Sequence, residues 1–148
     1  MRVVIQRVSK ATVSIDNSIV GQIRRGFVVL VGICENDSEK DVEYIAKKVA
    51  QMRILSDDEG KMNLSLTDVK DAAILSISQF TLYADCKHGN RPSFINAARP
   101  EKAEPLYELF NKLLKEKYML HVETGRFGAN MQISLINDGP VTIVLDSL

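Results

Sequence analysis

The segment at residues 133–144, ISLINDGPVTIV, constrains the fold of this sequence more than any other part of it. Two apolar, β-branched runs favour strands, and between them lie four residues that break regular structure, Asn137, Asp138, Gly139 and Pro140. Asp-Gly between apolar runs is typical of a hairpin. The proline that follows removes a backbone donor, leaves carbonyl groups free and permits a cis peptide bond. The segment therefore predicts two strands joined by a turn. This turn either has only a structural role or presents backbone oxygens to a ligand.

Strand-like patterns recur along the rest of the chain. In the first segment, RVVIQRVSKATVSI, polar and apolar residues alternate from Val8 onwards. The turn residues DNS and RRG separate this segment from IVGQI and then from FVVLVGI, which predicts an antiparallel meander. We interpret AAILSISQFTLYA as one long strand, and we expect MLHVETGRFGANMQISLI and VTIVLDSL to supply the last strands.

Two segments have the helical period instead. In ENDSEKDVEYIAKKVAQMRI the apolar residues follow helical spacing, and Ser38 with Asp41 resembles a capping box at the start. Pro100 opens a second helix in EKAEPLYELFNKLLKEKY, where Pro105 either kinks the first turn or marks a later start. We therefore expect an α/β fold of the α+β kind, with mainly antiparallel sheets curled towards a barrel and two main helices packed on one side.

The length of 148 residues favours one domain, spanning residues 1–148. The 19 basic and 19 acidic residues cancel, whereas a protein that holds many nucleic-acid phosphates is usually basic. Contact with nucleic acid is therefore expected only through a local patch, and the only adjacent basic pairs are Arg24-Arg25 and Lys47-Lys48. The predicted core consists of apolar strand and helix positions: Val29, Val31, Ile45, Val49, Ile74, Leu75, Phe110, Leu113, Ile133, Leu135, Ile143 and Leu145.

The sequence offers no support for a cofactor or a metal ion. Cys34 and Cys86 are far apart and form no CxxC pair, which argues against a zinc site or a disulfide. HExxH, P-loop and GxGxxG motifs do not occur. No signal peptide and no apolar run of about 20 residues is present, so we expect a cytoplasmic protein without a membrane span.

Side-chain nucleophiles are poorly supported. A Ser78–His88 pairing is possible on paper, but a lone histidine in a loop is usually only exposed. On a regular strand Ser78 and Thr81 lie on opposite faces, so a direct pair of these hydroxyls needs a bulge or the end of the strand. Gln79 and Thr81 either belong to an ordinary strand or lie at the rim of a pocket. The glycines of TGRFGANMQI are equally compatible with a structural turn and a ligand loop.

Four motifs together resemble the D-aminoacyl-tRNA deacylase family: SQFTLYAD at 78–85, NRPSF at 90–94, GRFGANM at 125–131 and NDGPVT at 137–142. The opening MRVVIQRV is also similar, so the resemblance covers essentially the whole chain. It implies a homodimer, with active sites at the interface, that binds the aminoacylated acceptor end of tRNA. The implied reaction is hydrolysis of the ester between a D-amino acid, or mischarged glycine, and the terminal adenosine.

The resemblance also implies roles for individual residues. In the family the Gly-Pro pair is cis and reaches into the site of the partner subunit, where it excludes L-amino acids. The residues implied in catalysis are Ser78, Gln79, Phe80 and Thr81. Those implied in substrate binding and in the chiral gate are Gly139, Pro140, Phe94, Met131 and Arg7, the last as a brace for the Gly-Pro pair.

The mechanism that fits this resemblance uses the backbone. An aminoacyl ester is already activated, and the vicinal 2′-hydroxyl can assist, so the protein need only position the ester and stabilise the oxyanion through N–H groups near Gln79-Phe80 and Phe94. A rival mechanism makes Thr81 a covalent nucleophile. Two other classes stay open: a hydrolase of small esters that uses Ser78 or Thr81, and a non-catalytic dimeric RNA- or protein-binding module.

Overall fold

The first strand, β1 (Arg2–Ile15), organises the sheet. In this computed structural model, which describes residues 1–147, β2 (Ser18–Ile23) and β3 (Gly26–Gly32) pair antiparallel with consecutive parts of one edge of β1. The other edge of β1 pairs antiparallel with β8 (Gln132–Asp146). The predicted meander is therefore wrong, because β2 does not pair with β3. Instead β1 is long enough for β2 and β3 to pair with it side by side along one edge.

Parallel strands complete the sheet. β6 (Ala73–Ser78) pairs parallel with β3, and β7 (His121–Thr124) pairs parallel with β6. Each connection passes through a helix, as parallel neighbours require: α1 (Glu39–Gln51) between β3 and β6, and α2 (Pro100–Lys112) between β6 and β7. A small hairpin of β4 (Leu55–Ser56) and β5 (Met62–Leu64) follows α1. Contact of β2 with β6 and β7 nearly closes a barrel, which confirms the predicted fold class.

The predicted hairpin at Asn137–Pro140 is wrong. β8 is continuous, and both of its halves pair with β1: Asn137 lies opposite Val8, and Thr142 lies opposite Gln6. Residues 138–141 therefore bulge out of the ladder, and the Gly139–Pro140 peptide bond within them is cis. The Asn137 side chain closes this bulge, since its Oδ1 accepts from the Val141 N–H at 2.9 Å and its Nδ2 donates to Thr142 Oγ1 at 2.8 Å.

The strand predicted from AAILSISQFTLYA is too long. β6 ends at Ser78, and a 3₁₀ turn occupies Phe80–Tyr83. The last ladder bond of this strand runs from the Gln79 N–H to the carbonyl of Val31, at 2.8 Å. The Leu82 N–H then bonds back to the Gln79 carbonyl at 3.3 Å, so local turn bonds replace strand pairing.

Both predicted helices form. At the start of α1 the Asp41 carboxylate accepts from the Ser38 N–H and hydroxyl, each at 2.8 Å, which confirms the capping box. Hydrogen bonds from Ser147 and Ser38 lower the pKa of Asp41 to about 2. The helix α2 begins at Pro100 and includes Pro105, so the alternative that the helix begins later, at Pro105, is wrong. A π turn, Leu113–Lys117, continues this helix.

The core has two parts. One lies between the helices and the sheet and includes Phe27, Ile45 and Phe110, and the other fills the barrel and includes Val28 and Leu75. The predicted positions that are buried are Val29, Val31, Ile45, Val49, Ile74, Leu75 and Phe110. The remaining five are only partly buried and pack against these clusters, mostly because β8 forms an edge of the sheet: Leu113, Ile133, Leu135, Ile143 and Leu145.

Phe110 is one of the largest fully buried side chains in the helix-facing core. Phe110 is fully buried, whereas Phe80 is 56% exposed, so the same substitution at Phe80 serves as the control. We expect Phe110→Ala to lower the free energy of unfolding by about 3–5 kcal/mol because it leaves a cavity. We expect Phe80→Ala to cost less than about 1 kcal/mol. Urea unfolding followed by circular dichroism measures both; equal losses would contradict this view of the core.

Candidate active site

A cavity of about 530 Å³ opens where β6 ends, between the start of α2 and the loop at residues 125–131. This volume is typical of small-molecule sites, and its lining is predominantly apolar, as such sites usually are. The sheet contributes Val31, Ile77 and Ser78, and Ile33 follows directly after β3. The helix α2 contributes Pro100, Ala103 and Tyr107. Five of the residues implied by the family resemblance lie here: Ser78, Gln79, Phe80, Phe94 and Met131.

The end of β6 gives this cavity its backbone donors. The 3₁₀ turn begins immediately after Gln79, whose own N–H is bonded to Val31. The first N–H groups of such a turn, those of Phe80 and Thr81, have no carbonyl partner inside it. Unpaired N–H groups beside a cavity can bind an oxygen that carries negative charge.

Thr81 differs from its neighbours in position. It is exposed and does not line the cavity, and its hydroxyl accepts a hydrogen bond from Gln79 Nε2 at 2.5 Å. An activated hydroxyl nucleophile needs a base within hydrogen-bond reach. The partner here is an amide, which is not a base, and His88 is exposed in the loop beyond.

Two aromatic rings form the rim. Phe80 and Phe94 pack edge to face, with centroids 5.2 Å apart and planes at 74°. The bridge between Asp85 and Ser93, with N–H···O distances of 2.7 and 2.9 Å, closes the intervening loop and brings the rings together. Phe80 is 56% exposed and Phe94 38%, so the rim presents aromatic surface that is suited to stacking.

A buried hydrogen bond holds α2 against β6 behind the cavity. The Tyr107 hydroxyl donates to the Ser76 carbonyl at 2.9 Å, and burial raises the pKa of this tyrosine. The contribution of α2 to the cavity was not predicted from the sequence. The available signal is the run of small residues in NAARPEKAEP, since Ala97, Ala98 and Ala103 leave the space that the cavity occupies.

The bulge at residues 138–141 is the second place where residues implied by the family resemblance come together. Arg7 is only 11% exposed; its Nε donates to the Asp138 carbonyl at 3.0 Å and its Nη1 to the Ile54 carbonyl at 2.8 Å. The Asp138 carboxylate lies 3.7 Å from the same guanidinium. Arg7 thus ties the bulge to the segment after α1, while Gly139 and Pro140 are exposed.

The bulge and the cavity are separate on one chain. Arg7, Gly139 and Pro140 do not line the cavity. Arg7 pairs with Phe27 on β3, four residues from the cavity-lining Val31, a separation of about 13 Å along the strand. The residues implied by the family resemblance therefore fall into two groups, one at the cavity and one at the bulge.

Other chemistry has little support. No group of three or more histidine, cysteine or acidic side chains within residues 1–147 could hold a metal ion. Cys34 and Cys86 are both free thiols. None of the helices in the described part of the chain is long and apolar enough to cross a membrane.

Several known proteins resemble this chain over nearly its whole length. Curated relatives named D-aminoacyl-tRNA deacylase occur in Brevibacillus brevis, 58% identical over 99% of this chain and 100% of the relative, and in Bacillus cytotoxicus, 56% identical over 99% of both. A solved structure titled "c-Myc DNA Unwinding Element Binding Protein" has a TM-score of 0.94 at 39% identity, covering 100% of this chain and 99% of the other. Another, of a probable eukaryotic D-amino acid tRNA deacylase, shares the fold with a TM-score of 0.84 at 18% identity, covering 98% of each chain.

The fold and these relatives define the class of protein: the chain is an enzyme, a hydrolase of the deacylase type. The family model described as D-Tyr-tRNA(Tyr) deacylase matches residues 4–146. The chain belongs to this family, as the resemblance of its motifs predicted.

The two hydrogen bonds of Arg7 allow its role at the bulge to be tested. Replacing it with methionine removes two charge-assisted hydrogen bonds, each worth about 1.5–3 kcal/mol, and frees the bulge. We expect amide hydrogen exchange of Gly139 and Val141 to become about tenfold faster or more. Arg53→Met is the matched control, because Arg53 donates to the Asn63 carbonyl at 2.8 Å away from the bulge. Unchanged exchange in Arg7→Met would contradict the bracing role.

Proposed function

We propose that this protein hydrolyses the ester between a D-amino acid, or mischarged glycine, and the terminal adenosine of tRNA. The products are the free amino acid and free tRNA. The observation that carries the proposal is the cavity beside the SQF motif, in a chain 56–58% identical to proteins named D-aminoacyl-tRNA deacylase. With charged tRNA as its substrate, the protein acts in the cytoplasm.

The rim and the charge of the chain favour binding of the terminal nucleotide. Phe80 and Phe94 offer exposed rings against which a base can stack. The chain has no net charge, so contact with RNA is concentrated near the acceptor end rather than spread over many phosphates. Most of the recognition then concerns the aminoacylated adenosine itself.

The proposed mechanism needs no covalent intermediate. Water adds to the ester carbonyl, and backbone N–H groups near Phe80 and Phe94, which both line the cavity, stabilise the oxyanion. The vicinal 2′-hydroxyl accepts a proton from the attacking water and passes its own proton to the ribose oxygen as the bond between that oxygen and the acyl carbon breaks, which leaves the free amino acid and an intact ribose. The bond between Thr81 and the Gln79 amide supports this mechanism over a threonine nucleophile, since no base is placed to activate the hydroxyl.

We assign the selection between D- and L-aminoacyl groups to the bulge of a second copy of the chain. On one chain Gly139 and Pro140 are exposed and remote from the cavity, so a homodimer would have to bring them to it. An apolar row on β8 favours such a dimer: Ile136 is 50% exposed and Val144 62%. The backbone around Gly139 and Pro140 then collides with an L side chain and leaves space for a D side chain, so specificity comes from exclusion.

A direct assay tests the proposal. We expect purified protein to deacylate D-Tyr-tRNA at least about 100-fold faster than L-Tyr-tRNA, a difference of about 2.7 kcal/mol in the barrier. Release of radiolabelled tyrosine measures both rates.

Three outcomes contradict parts of this account. Cleavage of neither substrate would indicate a binding module. Activity on simple esters without preference for tRNA would indicate a general ester hydrolase. Loss of all activity in Thr81→Ala, together with an acyl-enzyme trapped in the wild type, would establish the threonine nucleophile, whereas we expect this variant to keep most of its rate.

A further inference from the structure

A second groove adjoins the active-site cavity. It has a volume of about 410 Å³ and lies between α2 with its π turn on one side and residues 124–127 on the other. Tyr107 and Phe127 line both spaces, with ring centroids 6.0 Å apart. The groove and the cavity are therefore neighbours on the two sides of this aromatic pair, so a strand that leaves the cavity at this side lies next to the groove.

Three cations line the groove. Lys112 and Lys115 come from the end of α2 and the π turn, and Arg126 comes from the facing loop. All three are exposed, and none forms an ion pair within residues 1–147. Lys112 and Lys115 are one helical turn apart, and the fold brings Arg126 of the facing loop beside them, so the patch is a local concentration of positive charge on a chain without net charge. Arginine and lysine side chains in this arrangement suit phosphate groups.

The other lining groups restrict where a phosphate can lie. Glu104 and Glu108 line the groove from the preceding turns of α2 and repel anions there. Asn111 lies between these carboxylates and the lysines along the helix, and its buried Oδ1 has no hydrogen-bond partner. Because this oxygen has almost no surface open to solvent, the cationic side chains rather than Asn111 would hold a ligand here.

We infer that this groove binds the phosphates of the single-stranded RNA that precedes the terminal adenosine. The inference rests on the proposed function, because the position of the strand follows from an adenosine in the neighbouring cavity. Lys112, Lys115 and Arg126 hold the phosphates, while Glu104 and Glu108 keep the strand at the cationic end. The groove thereby distinguishes a tRNA end from a free aminoacyl-adenosine.

The test compares two triple variants with the same change of charge. One carries Lys112→Gln, Lys115→Gln and Arg126→Gln, and the control carries Lys40→Gln, Lys47→Gln and Lys70→Gln, all exposed and outside the groove. The two substrates are D-Tyr-tRNA and 2′(3′)-O-D-tyrosyl-adenosine. Binding of a fluorescent single-stranded RNA ending in CCA is measured in parallel.

The groove variant should raise KM for D-Tyr-tRNA and Kd for the RNA about tenfold, and lower the salt slope of binding by about 2. Its kcat/KM for the adenosine substrate should not change, and the control should match the wild type. Glu104→Gln with Glu108→Gln should shift RNA affinity in the opposite direction, tightening it about twofold.

Equal RNA affinities in the two triple variants would overturn the inference. So would an equal loss on both substrates, since that would mean damage to the cavity. Failure of the wild type to cleave either substrate would instead contradict the proposed function, and the RNA measurement would still decide the role of the groove.

Discussion

The antiparallel pairing of β1 with β8 is the constraint on which the rest of this structure depends. It joins the first and last strands over nearly their whole length, from Arg2 opposite Asp146 to Ser14 opposite Gln132. With one edge of β1 occupied in this way, β2 and β3 share the other edge, and the parallel strands extend the sheet until it nearly closes. The cavity lies where β6 ends in this sheet, and the bulge lies where β8 leaves the ladder.

The bulge is possible because its polar groups are satisfied locally. Asn137 replaces the missing ladder bonds, and Arg7 binds the Asp138 carbonyl while reaching the Ile54 carbonyl. A larger residue at position 139 would displace the atoms around Gly139. An added Cβ would lie 2.8 Å from Val141 Cγ2 and 3.1 Å from Arg7 Nη2. A rigid, exposed piece of backbone is the kind of element that can select a substrate by exclusion, provided that a second copy carries it to the cavity.

Local patterns were sufficient for much of the fold. The alternation in β1, the helical stripe of α1 and its Ser38–Asp41 cap all depend on neighbours in sequence, and they were predicted correctly. The prediction of a hairpin at residues 137–140 was wrong because Asp-Gly-Pro permits a turn without requiring one. Both halves of β8 pair with β1 instead, which keeps the strand continuous. The end of β6 at Ser78 and the lining of the cavity by α2 depend on tertiary packing, which no local pattern contains. The family motifs identified the cavity residues Ser78 and Phe94, whereas Tyr107 was visible only in the structure.

The central claim is that each active site combines the cavity of one chain with the bulge of another. Mixing two variants tests it: Ala129→Trp, which fills the cavity and is inactive, and Gly139→Ala, which displaces the bulge and lets L-Tyr-tRNA be cleaved. If sites form across a twofold interface, unfolding and refolding equal amounts of the two together pairs half of the open cavities with an intact bulge, so cleavage of L-Tyr-tRNA per Gly139→Ala chain should fall by about half. Activity that stays at the level of the separate variants would contradict the claim, because it would mean that no site borrows its bulge from a partner.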